Sequence, residues 1–142
     1  MTFVLDNSVA MRWLLNDRDL DTQDYARNVL KMLIDGGSAI VPNLWALEAA
    51  NVIAKQIKKG NIIQAEASQF IALLAELDIQ PDRDTHDHAL GDTLGLAQQY
   101  GLSSYDASYL ELALRKGLPV ATVDQDLAEA ARKAGGLQVL ME

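Results

Sequence analysis

Cysteine is absent from the 142 residues, which excludes disulfides, thiolate zinc sites and cysteine nucleophiles. Any metal must then be held by oxygen or imidazole ligands. Three prolines and nine glycines leave no room for a long low-complexity segment. Positive charge is scarce: twelve Lys and Arg face twenty Asp and Glu, for a net charge of −8. No uninterrupted apolar run is long enough to span a bilayer. The amino terminus, Met1-Thr2-Phe3-Val4-Leu5-Asp6, has no basic segment ahead of its apolar residues and so does not read as a signal peptide. A cytoplasmic protein without membrane contact is the expectation. What is present is 49% hydrophobic residues and 23% charged ones, enough apolar material for one globular domain spanning 1–142.

Short apolar runs alternate with helical stripes along the chain. Phe3-Val4-Leu5 reads as a strand ending at Asp6-Asn7-Ser8, with Ser8 placed to cap a helix through Val9, Trp13 and Leu14. Helices are predicted at about 22–34, 44–59, 64–77, 87–100, 104–116 and 126–134, with glycines just past several of their ends. Ala39-Ile40-Val41 reads as a second strand and 119–123 as a fourth. Ile79-Gln80 is a weak third strand and 137–140 a fifth. Strands separated by helices imply parallel crossovers, hence an α/β layered sandwich.

The motifs of covalent and nucleotide chemistry are missing, namely the Gly-x-Ser-x-Gly elbow, the Gly-rich phosphate loop and the Gly-x-Gly-x-x-Gly fingerprint. Carboxylates recur instead where strands end or inside apolar helices. Asp6 follows strand one and Asp124 follows strand four, each readable as a turn aspartate or as a crevice residue. In open parallel sheets ligands bind beyond the carboxyl ends of strands where strand order reverses, so neighbouring strands one and four would aim both acids into one crevice. Glu48 is the only ionisable residue from Leu44 to Ile53, flanked at helical spacing by Leu44, Trp45, Asn51 and Val52. Asp106 sits in Ser103-x-x-Asp106, either a capping box or a further crevice acid. Asp126, with Glu129 three residues on, looks like a helix N-cap. Two like charges about 4 Å apart repel by roughly 4 kcal/mol at an effective dielectric of 20, so such a cluster stays ionised only around a cation. Oxygen ligands point to Mg²⁺ or Mn²⁺, ions suited to phosphoryl chemistry.

Val4-Leu5-Asp6-Asn7-Ser8-Val9, the Glu48 helix, Gly101-Leu102-Ser103-Ser104-Tyr105-Asp106-Ala107 and Val120-Ala121-Thr122-Val123-Asp124 together resemble the PIN domain, and more narrowly the VapC toxins of toxin–antitoxin modules. The ordered set runs from Phe3 to near Leu140. The resemblance implies a five-stranded parallel sheet of order 3-2-1-4-5 flanked by helices. It also implies an Mg²⁺- or Mn²⁺-dependent endoribonuclease whose metal-binding, catalytic acids fall on Asp6, Glu48, Asp106 and Asp124. Asn7, Ser8 and Thr122 match small polar positions that hold those acids, and Asp126 matches a position acidic in some members. A homodimer blocked by a cognate VapB-like antitoxin is the implied assembly.

A nuclease must attract a polyanion, and the net charge of −8 works against that. The basic residues placed to meet RNA phosphates are Arg12 near Asp6, and Lys55 and Lys59 on the Glu48 helix, roughly 10 to 17 Å beyond Glu48 at 1.5 Å per residue. The same lysines also complement a helix C-terminus. His86-Asp87-His88 reads as a solvated helix start rather than a metal site, since alternate positions do not share a helical face. Asp6-Asn7-Ser8 lacks the second acid that a receiver domain or a haloacid-dehalogenase-type phosphatase requires. The remaining alternative is a PIN-fold binding module that keeps its acids and works through its partner.

Overall fold

The computed structural model describes residues 1–16 and 19–135. Among these, four strands form one parallel sheet: β1 (Thr2–Leu5), β2 (Ser38–Val41), β3 (Ile79–Pro81) and β4 (Val120–Ala121), in the order β3-β2-β1-β4. This is the expected order for the four; the fifth predicted strand, 137–140, lies outside the described residues. The register pairs Phe3 with Ala39 on one side of β1 and Leu5 with Ala121 on the other. Phe3, Val4, Leu5, Val120 and Ala121 are fully buried, as a strand covered on both faces demands.

Helices fill the crossovers. Between β1 and β2 lie α1 (Asn7–Leu14) and α2 (Leu20–Ile34); between β2 and β3 lie α3 (Trp45–Lys58) and α4 (Gln64–Glu76). The long connection from β3 to β4 carries α5 (Thr85–His88), a π turn (Ala89–Thr93), α6 (Leu94–Tyr100) and α7 (Ser104–Lys116), and α8 (Gln125–Lys133) follows β4. One core joins them, from Phe3, Leu5 and Val9 through Val29 and Phe70 to Tyr109, Leu112 and Leu127. Because β2 and β4 flank β1, the chain leaves β1 toward one edge and returns on the other side. Strand order therefore reverses at the β1–β4 pair.

Three expectations need correction. The helix predicted over 87–100 is broken: Leu94 N–H bonds to Ala89 O, five residues back, and this π turn absorbs an extra residue where Gly91 and Gly95 weaken the helix. The fourth strand is shorter than 119–123 because after Ala121 the chain turns its polar groups onto Asp6 and Ser8 instead of continuing the ladder. Ser8 caps no helix; α1 begins at Asn7, and Asp6 occupies the N-cap position. Gly101 ends α6 at φ +66°, a left-handed conformation that costs glycine little, and so turns the chain into the Ser103 cap of α7.

Candidate active site

Asp6 stands at the carboxyl end of β1 and is buried, 5% exposed. Its Oδ2 accepts hydroxyl bonds from Ser8 (2.6 Å) and Thr122 (2.7 Å). Burial pushes the Asp6 carboxyl above its ordinary range and the Asp124 charge adds to this, while the two hydroxyls oppose it. Thr122 Oγ1 also accepts the Asp124 N–H at 3.0 Å, and Ser8 Oγ accepts the Val123 N–H at 3.3 Å. Two hydroxyls thus tie the ends of β1 and β4 together around one carboxylate.

Asp124, not Asp126, is the N-cap of α8: its Oδ1 accepts from the N–H groups of Asp126 (2.9 Å) and Leu127 (3.2 Å). The helix starts one residue earlier than predicted because Asp124 itself has the extended backbone of a cap, φ −80° and ψ 118°. Asp126 is left exposed in the first turn, its charge the last of the influences on Asp106. Asp106 lies in the first turn of α7, where Ser103 Oγ accepts its N–H at 3.1 Å, so the capping half of the Ser103-x-x-Asp106 pattern is real. Its carboxyl is pushed up to about 6, first by burial and then by Asp124 and Asp6. Glu48 lies in the first turn of α3, and its Oε1 accepts the Tyr109 hydroxyl at 2.5 Å. Burial raises Glu48 as well, and the charges of Asp6 and Asp106 raise it further.

The four acids thus come from the N-terminal ends of α1, α3, α7 and α8, where the helix dipole partly offsets negative charge. They act on one another electrostatically: Asp124 on Asp6 and Asp106, Asp6 on Glu48 and Asp106, and Asp106 on Glu48. No three acidic or imidazole side chains among the described residues are yet close enough to hold a metal ion. For an ion to be held there, side-chain rotation would have to close that gap against the repulsion among uncompensated carboxylates. The donor set nevertheless fits a hard divalent cation. Glu48 Oε2 and Asp124 Oδ2 have no hydrogen-bond partner among the described residues, and neither does the buried amide oxygen of Asn7.

Of the basic residues expected to meet substrate, Lys55 and Lys59 are exposed along and just past the end of α3, and Arg12 is half-buried on α1. A cavity of about 390 Å³ adjoins Asp124, with Asp19, Tyr25, Thr122 and Arg132 in its walls. A larger one, about 670 Å³, lies at the other end of α7 beside His88, Leu96, Glu111 and Arg115. Of its lining acids Glu111 is paired with Arg115 at 2.7 Å, and the same guanidinium binds Asp82 at 2.6 Å. His88 is half-buried there, 3.6 Å from Asp92 and 3.9 Å from Glu111, so only His86 of the pair is a solvated helix-start residue.

Tyr109 carries a part that the sequence reading did not assign. It is fully buried, accepts the Asn7 N–H at 3.4 Å and donates to Glu48. Its spacing of three from Asp106, which puts both on one face of α7, was the available signal.

A parallel sheet whose switch point gathers acids from four helix starts defines an α/β acid-site domain. The PIN domain family model matches residues 3–133, and the chain belongs to that family. The sequence is 33% identical over 87 residues to Ribonuclease VapC3 of Pyrobaculum aerophilum, covering 61% of this chain and 66%, just under two thirds, of that protein. It is 28% identical over 99 residues to Exonuclease VapC9 of the same organism, covering 70% and 71% of the two chains. Among solved structures, PAE2754 from Pyrobaculum aerophilum matches with a TM-score of 0.66 at 22% identity, over 98% of this chain and 92% of that one. VapBC2 from Rickettsia felis, bound to a DNA fragment from its promoter, matches with 0.68 at 16% identity over all of both chains. FitAcB from Neisseria gonorrhoeae matches with 0.62 at 20% identity, over 99% and 97%. At these identities the structural likeness establishes the fold.

Proposed function

We propose that the chain is a metal-dependent endoribonuclease and the toxin of a toxin–antitoxin pair. The observation that carries this reading is the set of four mutually repelling acids at helix starts around the β1–β4 switch point. The names of its relatives, a ribonuclease and an exonuclease, support nuclease chemistry on this fold. Asp6, Glu48, Asp106 and Asp124 would hold Mg²⁺ or Mn²⁺, with Asp126 on the rim. Ser8 and Thr122 fix the Asp6 carboxylate through its Oδ2. A divalent cation bound there supplies the charge that activates water and offsets charge developing on the scissile phosphate. Burial of Asp6 excludes solvent from one side of that charge and strengthens its hold on a cation. Lys55, Lys59 and Arg12 supply the phosphate contacts, with a shallow dependence on salt because they are few.

The same crevice suits a basic peptide, and one of the similar solved structures is VapBC2 bound to a DNA fragment from its promoter. A VapB-like antitoxin tail that places a cation among the four acids would block the site, and a homodimer would carry two such sites. The test is incubation of purified protein with tRNA, rRNA and mRNA, in Mg²⁺ and in chelator, with mapping of the product ends. Internal cuts with 5′-phosphate and 3′-hydroxyl ends in Mg²⁺ alone are expected. Cleavage only from chain ends would replace the endonuclease assignment, and no cleavage with any metal would leave a binding module.

A further inference from the structure

We propose that Tyr109 is a positioning residue for Glu48, holding its carboxylate in register with the start of α1. The inference rests on the metal-dependent reading above and deepens it. Glu48 has three rotatable side-chain bonds and is only half-buried, so unanchored it would lose rotamer freedom whenever it was drawn to an ion. Tyr109 is a rigid anchor with no exposed surface, part of the same core as Phe3, Leu5 and Val9. The direction of its hydroxyl proton follows from its neighbours. Asn7 offers an N–H, which can only donate, so the phenolic proton goes to Glu48 Oε1 at 2.5 Å. Oε1 is thereby anchored, while Oε2 has no partner among the described residues and is the freer oxygen for a ligand.

One ring therefore links three of the four acids. Asn7 is the covalent neighbour of Asp6, Glu48 is reached through the hydroxyl across 61 positions, and Asp106 lies one turn earlier on the same helix. Phenylalanine would fill the same volume, so the hydroxyl is what packing alone does not explain. A buried hydroxyl is retained at a cost unless it has partners, and its strongest partner here is a site carboxylate.

The test is Tyr109→Phe, compared with the wild type for Mn²⁺ binding by calorimetry on metal-free protein and for melting temperature in chelator. Loss of an outer partner of a metal-binding carboxylate is expected to weaken Mn²⁺ affinity by about 10- to 100-fold. The melting temperature in chelator should fall modestly, by what the two lost hydroxyl bonds contribute, because the ring keeps its packing. A double-mutant cycle with Glu48→Gln isolates the route. Tyr109→Phe should cost less than about twofold more once Glu48 has lost its charge, since the two act as one unit. Wild-type affinity in Tyr109→Phe, or an equal loss in both backgrounds, overturns the positioning role while leaving the metal site intact. Failure of the wild type to bind Mn²⁺ at all overturns the metal reading, and this inference falls with it.

Discussion

Thr122 Oγ1 donates to Asp6 Oδ2 at 2.7 Å across 116 positions of sequence, and the same oxygen accepts the Asp124 N–H at 3.0 Å. One hydroxyl thus sets the distance between two acids at the ends of adjacent strands. Thr122→Val keeps the shape and removes both bonds in a buried setting. The loss should be about 1–3 kcal/mol, the usual cost of leaving buried polar groups unsatisfied. Urea denaturation in chelator measures it, and a change within error would show that Thr122 is not fastening the two strand ends.

Asp6→Asn removes the carboxylate charge while its amide oxygen can still accept the Ser8 and Thr122 hydroxyls. RNA cleavage should fall by on the order of a hundredfold or more, the scale of losing one electrostatic element of an active site. The metal-free protein should melt higher, since burial and Asp124 both penalise the Asp6 charge. Asp126→Asn should change both quantities little, because Asp126 is exposed and Asp124 performs the capping. An equal loss of cleavage in the two variants would make Asp126 a ligand.

The carboxyls of Asp6, Glu48 and Asp106 are all raised in the folded state, so between their unfolded and folded values the native protein binds more protons than the unfolded chain. The stabilisation from their protonation is gained as pH falls through the folded values and is absent at neutral pH. For Asp106 the window runs from about 6 down to the ordinary 3.8. Metal-free protein should therefore melt higher at pH 5 than at pH 7, and Asp106→Asn should flatten the difference. Mg²⁺ should abolish it by stabilising the ionised forms. A melting temperature that falls steadily from pH 7 to 5 in chelator contradicts the coupled cluster. Asp82 has the opposite sign: burial opposes its ionisation, but the Arg115 and Thr85 bonds outweigh that and lower it, so its contribution is lost at more acidic pH.

Arg115→Met would leave Asp82 and Glu111, 3% and 4% exposed, without their counter-ion. Breaking a buried pair in this way costs about 3–5 kcal/mol, and the partial exposure of Arg115 puts the expectation at the lower end. Equilibrium unfolding tests this directly. Adding Asp82→Asn and Glu111→Gln should recover part of the loss, while cleavage per folded molecule stays unchanged throughout.

The order of the first four strands followed from the resemblance to the PIN domain, whereas the sequence by itself determined the alternation of strands and helices and the places of the four acids along it. These depend on local pattern: an apolar run stopped by Asp6 or Asp124, and an acid isolated in an apolar helix at Glu48, are visible within a few residues. The π turn at Ala89–Thr93 was not visible, because glycines weaken a helix without saying how it will adapt. Whether Asp124 or Asp126 caps α8 was decided by where the chain leaves β4, a difference of two positions that short-range pattern does not resolve. Serine before an apolar stripe usually is a cap, yet the Ser8 hydroxyl donates to Asp6 two residues back and accepts the Val123 N–H from the neighbouring strand's end. Tyr109 meeting Glu48, and Thr122 meeting Asp6, join positions 61 and 116 residues apart. Only the packed sheet and its crossovers bring such groups within 3 Å, because a hydroxyl's partner is chosen by proximity in the fold and leaves no periodic trace in the chain.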